Sequence, residues 1–336
     1  MLSRAKSDKW AVTKNLFRWV AVRKIAWKGF PSLLILFITV LFGVGCTASQ
    51  SSTPLLPPSA LSSASYPDKY NNSFVQGGYV YLFDGKDGWK DVTPYGTRLT
   101  NTSSGLRLDT ALFIDQNTGW VISTFTNNSD NPSSFVVYRT TDGGNSWIST
   151  TVSVAWCGGV DIDFINTSDG WLLVHTGVAA GSEGISVMKT TDGGATWNTV
   201  SVTGLDGTPG SIGFVGDKTG IRFCDTNSGW ITGTVATGAI YLYATHDCGQ
   251  TWNPVDIPTP GVPINVTGAD TEYSYYQVYL PVFYSGSHGV LPIGESDSGP
   301  SPNYTYLGGV MYFYTMDNGG DSWVLSSRIP LPAITD

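Results

Sequence analysis

The sequence predicts an all-β fold, a β-propeller of four-stranded antiparallel blades. Three observations support this prediction. A short turn sequence recurs along the chain, an apolar segment with its own turn recurs upstream of each copy, and no stretch after residue 46 has helical periodicity of useful length. The repeat favours five blades, and the pattern is compatible with four to seven.

The first repeat reads S/T-x-D-x-G-x-S/T-W and is complete at 190–197, 140–147 and 245–252. A fourth copy at 315–323 has one extra residue, and a fifth at 84–89 keeps only the Asp-to-Trp spacing. Aspartate and glycine suit a tight hairpin, because aspartate bonds to nearby backbone and glycine adopts positive φ without strain. We therefore assign a structural role to these residues: Asp84, Asp142, Trp147, Asp192, Trp197, Asp247, Trp252, Asp317 and Trp323.

The second repeat is an apolar strand ending in Phe, a polar turn, and Gly-Trp opening another apolar strand. It occurs at 112–120, 163–171 and 222–230, with a degraded copy at 282–290. Together the two repeats predict a unit of strand, turn, strand, loop, strand, aspartate turn, strand. Four antiparallel strands repeated in this way form one propeller blade, so five aspartate turns indicate five blades.

The first blade looks incomplete in the sequence, since little patterned chain precedes its aspartate turn. Propellers close by combining strands from both chain ends in one blade. We therefore expect the segment around 328–330 to supply an outer strand that completes the first blade.

The N-terminal segment predicts export and anchoring. Residues 1–45 hold eight basic residues against one acidic residue, then an apolar run that ends just before Cys46. This order is similar to a bacterial lipoprotein signal with lipidation of Cys46, and an uncleaved anchor is the alternative. Residues 46–76 read as a Ser/Pro-rich tether and 77–336 as the propeller. Both alternatives place the propeller on the outer side of a bacterial cell membrane.

Charge and cysteine content exclude several classes of function. From Cys46 onward 10 basic residues face 25 acidic ones, which argues against a nucleic-acid partner. Cys157, Cys224 and Cys248 fit no zinc or redox spacing and read as buried or incidental thiols, with one disulfide at most. We expect no cofactor and no metal.

The two repeats together resemble the BNR/Asp-box superfamily, most closely the photosystem II stability and assembly factor type. The resemblance covers about 77–334 and implies a lumenal or periplasmic propeller, often lipidated in bacteria, that acts as an assembly chaperone. One departure concerns the arginine-rich surface of that type, because this chain has few arginines. Sialidases share the turn, but the arginine triad they require has no counterpart here, and the Arg-Ile-Pro at 328–330 lies at the wrong end of the domain.

Candidate site residues lie outside the repeats. Asp161 and Asp163 are two apart on a predicted inner strand near Trp156, so both should face one side. Glu272 and Tyr273 lie in the longest connection between blades. The three histidines look isolated. We interpret the chain as a non-catalytic module that binds a membrane or envelope protein or a glycan, and the alternative is a glycoside hydrolase or lyase with two carboxylates across a groove.

Overall fold

The computed structural model describes a large part of the chain after the predicted tether. The described residues are 72–83, 88–94, 106–125, 133–179, 181–235, 239–258, 273–285, 287–298, 306–320 and 322–332. The predictions on the signal segment, Cys46, Asp84 and Glu272 lie outside these ranges, as does nearly all of the tether. Within the ranges, no helix has the length and hydropathy that a membrane span requires.

The described residues form antiparallel sheets that follow one another along the chain. Sheet 1 contains β1 (Ser73–Gln76), β2 (Tyr79–Phe83) and β3 (Trp89–Asp91), and sheet 2 contains β4 (Leu106–Phe113), β5 (Gly119–Phe125), β6 (Ser134–Thr140) and β7 (Ile148–Ser153). Sheet 3 contains β8 (Gly159–Phe164), β9 (Gly170–Ala179), β10 (Ser182–Thr190) and β11 (Asn198–Val202). Sheet 4 contains β12 (Asp217–Phe223), β13 (Gly229–Thr234), β14 (Ile240–Thr245) and β15 (Asn253–Val255). Sheet 5 contains β16 (Tyr273–Val278), β17 (Val282–Ser285), β18 (His288–Ser298), β19 (Tyr306–Met316) and β20 (Val324–Leu331).

These sheets are the blades of a five-bladed β-propeller, which confirms the predicted fold. Apolar clusters fill the space between sheets 1 and 2, 2 and 3, 3 and 4, and 4 and 5. Each cluster takes side chains from both sheets, so a blade buries its faces on its neighbours. One cavity at the centre is lined by residues of sheets 1 to 4 and by Leu280, which lies between β16 and β17.

The two ends of the chain depart from the prediction. The first strand begins at Ser73, ahead of the predicted boundary at residue 77, and pairs with β2. Strand β20, which contains residues 328–330, pairs with β19 inside sheet 5. The expectation that it completes the first blade is therefore wrong. The hairpin between β19 and β20 is local, so β20 can pair within its own blade without a long-range connection.

The aspartate turns are held by a repeated set of side-chain bonds. In the third blade the hydroxyl of Thr190 donates to Asp192 and accepts from the backbone N–H of Gly194. Asp192 in turn accepts from the backbone N–H and the hydroxyl of Thr196. The bond to the Thr196 hydroxyl, with the other bonds, lowers the pKa of Asp192 to about 2. The turns around Asp142 and Asp247 repeat this pattern.

The fifth turn uses a different residue from the one predicted. Asn318, and not Asp317, takes the central role: its side chain accepts from the N–H of Ser322 and donates to the Ser322 hydroxyl. Gly319 and Gly320 have φ of 76° and 95°, like the glycine pairs of the other turns. The turn therefore has no extra residue. If the fifth turn is aligned with the other turns on Trp323, Asn318 falls at the aspartate position. If it is aligned on the Thr before Asp317, the aspartate position is wrongly given to Asp317.

The tryptophans of the second repeat join neighbouring blades. Trp120 of sheet 2 stacks on Phe164 of sheet 3, with ring centroids 3.6 Å apart. Trp171 of sheet 3 stacks on Phe223 of sheet 4 at the same distance. The Trp120 indole also donates to the carbonyl of Gly193 in the next aspartate turn. These contacts hold the aspartate-turn end of the propeller together.

Candidate functional site: a charged cluster beside the central cavity

The propeller has two different ends. In sheets 2 to 4 the Phe-to-Gly-Trp turn joins the first strand to the second, and the aspartate turn joins the third strand to the fourth. Both turns therefore lie at one end of an antiparallel sheet. The segments that join one blade to the next lie at the other end, which we call the connection end. Among the described residues it includes 154–158 and 203–216.

A histidine bridges two carboxylates on the third blade. His175 on β9 lies with Nε2 3.0 Å from Asp161 Oδ2 on β8 and with Nδ1 2.7 Å from Glu183 Oε1 on β10. Burial disfavours the imidazolium, but the hydrogen bonds and charges of Asp161 and Glu183 raise the pKa of His175 to about 9. At neutral pH both ring nitrogens therefore carry protons and donate. An imidazolium in this state has no lone pair with which to act as a base.

Glu183 connects this cluster to the fourth blade. Its Oε2 accepts from the backbone N–H of Lys218 on β12 at 2.6 Å. The Lys218 ammonium is buried and lies 3.1–3.3 Å from four backbone carbonyls, of Glu183, Phe214, Val215 and Gly216. Burial lowers the pKa of this ammonium. Lys218 thus fastens the connection 203–216 onto β10.

Asp163 faces the same neighbouring blade as Asp161, as the spacing predicted, but its surroundings differ. It is fully buried, accepts from the N–H of Phe223 at 2.7 Å, and lies 3.8 Å from Nε of Arg222. Asp161 lines the cavity, and 41% of its side chain is exposed. The structure therefore places one predicted carboxylate at a surface and the other inside the interface between blades.

The other predicted site residues lie in different places. Trp156 is half-buried in the connection before β8, and its indole covers Gly158, whose N–H bonds to the carbonyl of His175. Trp156 therefore lies beside the charged cluster. Tyr273 begins β16 and pairs with Ser298 through the backbone of sheet 5.

A further buried carboxylate lies in the core between blades 4 and 5. Glu295 accepts from the hydroxyls of Tyr276 and Tyr312 at 2.9 and 2.5 Å. Both tyrosines belong to the apolar cluster of that interface, and burial together with Glu295 raises the pKa of Tyr312. The three described cysteines are free thiols, and no group of three or more His, Cys, Asp or Glu in the described ranges could hold a metal ion.

The central cavity is small and carries both signs of charge. Its volume is about 170 Å³. Its lining includes one residue or more from each of sheets 1 to 4 and the segment between β16 and β17: Ser73, Thr110, Asp161, Arg222 and Leu280. Binding pockets for drug-sized ligands have roughly 300–1,000 Å³, so the cavity suits a much smaller molecule.

Several members of the site were missed in the sequence. His175 looked isolated, yet it lies in a cluster with Asp161 and Glu183. The hairpin register pairs Asp161 with Leu173 and Gly159 with His175, which brings the Asp161 and His175 side chains to one face. Counting outward from the Phe-to-Gly-Trp turn could have revealed this neighbour. Lys218 and Arg222 depend on contacts between blades and had no such signal.

Comparison with known proteins adds distant structural neighbours. No protein-family model and no curated protein matches the chain. A structure of YCF48 bound to D1 peptide is 16% identical, with a TM-score of 0.32, over 66% of this chain and 81% of that one. The GH93 α-L-arabinofuranosidase of Fusarium graminearum with arabinobiose is 15% identical, with a TM-score of 0.40, over 63% and 62%. The NanB sialidase of Streptococcus pneumoniae is 12% identical, with a TM-score of 0.29, over 79% and 51%.

Proposed function

We propose that this chain is a non-catalytic binding protein that recognises a protein or glycan partner with its connection end. The observation that carries the proposal is the apolar surface around the connection between blades 3 and 4. Val178, Leu205 and Val215 are exposed there, and Lys218 holds the connection in place through four carbonyl contacts. Apolar side chains held at a rigid edge are typical of an interaction surface. Trp156 and Asp161 at the same end supply an aromatic and a charged contact, and Glu272 and Tyr273 are expected to extend this surface.

The burial and hydrogen bonding of the carboxylates favour a binding function over catalysis. A glycosidase needs two carboxyl groups that reach the substrate. Asp163, Glu183 and Glu295 are each buried and bonded to other groups of the protein. Asp161 has no exposed carboxylate opposite it among the described residues that line the cavity.

The test is partner capture from membranes with purified full-length protein. Leu205→Asp and Trp156→Ala should lose the partner, because each removes an apolar contact at the connection end. The matched control is Ile148→Asp, since Ile148 is 76% exposed and Leu205 77%, yet Ile148 lies on β7 of another blade. Loss of the partner in all three variants, or in none, would contradict this surface.

A substrate screen separates the proposal from the enzyme alternative. Wild type and Asp161→Asn are assayed against glycosides, sialosides and esters. We expect no turnover by either protein. Turnover that Asp161→Asn abolishes, with an unchanged melting temperature, would place the chain among the hydrolases or lyases.

We also propose that lipid on Cys46 anchors the chain at the outer side of a bacterial cell membrane. Basic residues, an apolar run and Gly45-Cys46 in that order support lipidation. Expression with a labelled fatty acid should label wild type and leave Cys46→Ala unlabelled and released from the membrane fraction. Equal labelling and equal membrane association of the two proteins would exclude Cys46 as the anchor.

A further inference from the structure

Exposed apolar side chains of the connection end lie together at one edge of the third blade. Residues 214–216 run alongside the start of β10, where the N–H of Glu183 donates to the carbonyl of Phe214 at 2.7 Å. Val178 is the partner of Glu183 across the hairpin of β9 and β10. Val178, Phe214 and Val215 are exposed, so this edge presents three apolar side chains held by backbone pairing.

Leu205 belongs to the same surface. The N–H of Val215 donates to Asp206 Oδ1 at 3.2 Å, which joins the residue next to Leu205 to the edge of blade 3. The turn that contains Leu205 is closed by a backbone bond from the Thr208 N–H to the Leu205 carbonyl. The apolar edge, as we call this surface, consists of Val178, Leu205, Phe214 and Val215. Hydrogen bonds position it in advance, so little conformational freedom of this chain is lost when a partner binds.

Two exposed carboxylates border the apolar edge. Asp206 lies between Leu205 and the backbone of Val215, and Asp217 begins β12 one residue after Gly216. Neither carboxylate forms an ion pair with any residue in the described ranges. Both are therefore available to a charge that comes from outside the chain.

Among the described residues, the cations near the apolar edge are already held inside the protein. His175 lies between two carboxylates, and Lys218 is buried among four backbone carbonyls. Burial lowers the pKa of the Lys218 ammonium, and the charges of Glu183, Asp206 and Asp217 oppose this shift. The carboxylates of this region therefore outnumber its two cations, and the region has an excess of negative charge.

The border charges determine which kind of partner fits. Apolar contacts supply buried area, whereas charges at the rim of an interface select the partner and speed its association. The carboxylates lie beside the apolar side chains, so a partner needs cations that flank an apolar stripe. An amphipathic helix has this arrangement, whereas a strand directs alternate side chains to opposite faces.

We propose that the apolar edge binds a basic amphipathic helix of a partner protein. The apolar stripe of the helix packs on Val178, Leu205 and Val215, and its lysine or arginine side chains pair with Asp206 and Asp217. This inference rests on the proposed function, since it names the class of partner that the connection end recognises. It selects a protein over a glycan, because a neutral sugar brings no charge to the two carboxylates.

The experiment measures binding of fluorescently labelled peptides to purified full-length protein in mild detergent, with empty micelles as the blank. The probes are helical peptides of about 18 residues, which is about five turns. One has a leucine stripe with lysine on its other faces, one has glutamate in place of lysine, and one has serine in place of leucine. The leucine–lysine peptide should bind about tenfold more tightly than the other two, and its affinity should fall as the salt concentration rises.

Asp217→Lys should weaken binding of the leucine–lysine peptide about tenfold, because it replaces an attraction by a repulsion. Asp317→Lys is the matched control, since Asp317 is exposed at the aspartate-turn end and undergoes the same change of charge. Asp206→Asn should also weaken binding, and its amide oxygen can still accept from the N–H of Val215. Melting temperatures show whether each variant is folded, and Asp206→Asn carries the test if Asp217→Lys does not fold.

Three results would overturn the inference. They are no binding of the leucine–lysine peptide to wild type, equal binding of the leucine–lysine and leucine–glutamate peptides, and equal losses of affinity in Asp317→Lys and Asp217→Lys. Capture of the membrane partner tests the proposed function separately. If Leu205→Asp loses the partner while Asp217→Lys and Asp206→Asn retain it, the proposed function stands and this inference fails. If Leu205→Asp retains the partner, the proposed function itself fails.

Discussion

Gly170 lies directly against the phenyl ring of Phe164. A Cβ added to Gly170 would come 2.5 Å from Cδ1 of that ring, closer than a carbon atom can approach. The same relation joins Gly229 to Phe223 and Gly289 to Phe283. The glycine of the Phe-to-Gly-Trp repeat is therefore required for its small size, since the ring occupies the space of its side chain.

Gly170→Ala should lower the free energy of unfolding by about 1–3 kcal/mol, because the Phe164 ring must move in a packed interface. Gly159→Ala is the matched control in the same sheet, since its Cβ would meet His175 at an ordinary 3.5 Å. Urea denaturation of both variants measures the difference. Equal effects of the two changes would contradict the steric argument.

The tryptophans of the aspartate turns differ in burial. Trp252 is fully buried and donates to the Ser201 hydroxyl and the Gly249 carbonyl, whereas Trp197 is half-buried. Trp252→Ala should cost about 3–5 kcal/mol of unfolding free energy by leaving a cavity. Trp197→Ala should cost less. A larger loss for Trp197→Ala in urea denaturation would reverse this ranking.

Asp192→Ala should cost about 1–3 kcal/mol, because the N–H and hydroxyl of Thr196 lose their acceptor. Asp317→Ala is the control. The fifth turn depends on Asn318, so this change should stay within about 0.5 kcal/mol of wild type. Thermal melts of the two variants test this difference. A lowered melting temperature for Asp317→Ala would show that Asp317 stabilises the fifth turn.

Cys248 has a left-handed backbone with φ of 68°, where the equivalent turns have Gly143 at 68° and Gly193 at 73°. Glycine adopts this conformation without strain, so Cys248→Gly should stabilise the protein by about 0.5–1 kcal/mol. Cys248→Ala removes the thiol but keeps the Cβ, and should stay close to wild type. Identical urea midpoints for the Gly and Ala variants would argue against backbone strain.

His175 should make stability depend on pH. Its pKa is raised in the folded state from 6.5 to about 9, so its contribution is present below pH 6.5 and lost as pH rises through about 9. The groups that face it are Asp161 and Glu183, with Lys218 beyond. The urea midpoint of wild type should fall across this window, and His175→Gln should show a smaller fall. If the urea midpoints of the two proteins fall equally with pH, the contribution of the His175 imidazolium to stability is contradicted.

The propeller could be predicted from local signals in the sequence. A turn such as 190–197 contains the side chains that form its own hydrogen bonds. The spacing from Phe164 to Gly170 and Trp171 places a phenyl ring, a glycine that leaves room for it and an indole at fixed positions in the repeat. These are contacts within one hairpin or between neighbouring repeats, so they leave a periodic trace in the sequence. The misassignment of the fifth turn also comes from a local pattern. Thr315 and Asp317 match the repeat one residue too early, and only the hydrogen bonds of Asn318 show that this residue occupies the aspartate position.

The sequence by itself determined the all-β repeat and the aspartate turns of sheets 2 to 4. Only the tertiary structure decided which carboxylate faces the cavity, because Asp161 and Asp163 have the same spacing and the same strand. Their difference comes from the next blade, where the N–H of Phe223 and the side chain of Arg222 take up Asp163. Lys218 joins the site in the same way, from β12 of the next blade. His175 lies on the same blade as Asp161, where the hairpin register could have revealed it. Contacts between blades depend on how one sheet packs against the next, and this packing leaves no pattern along the chain.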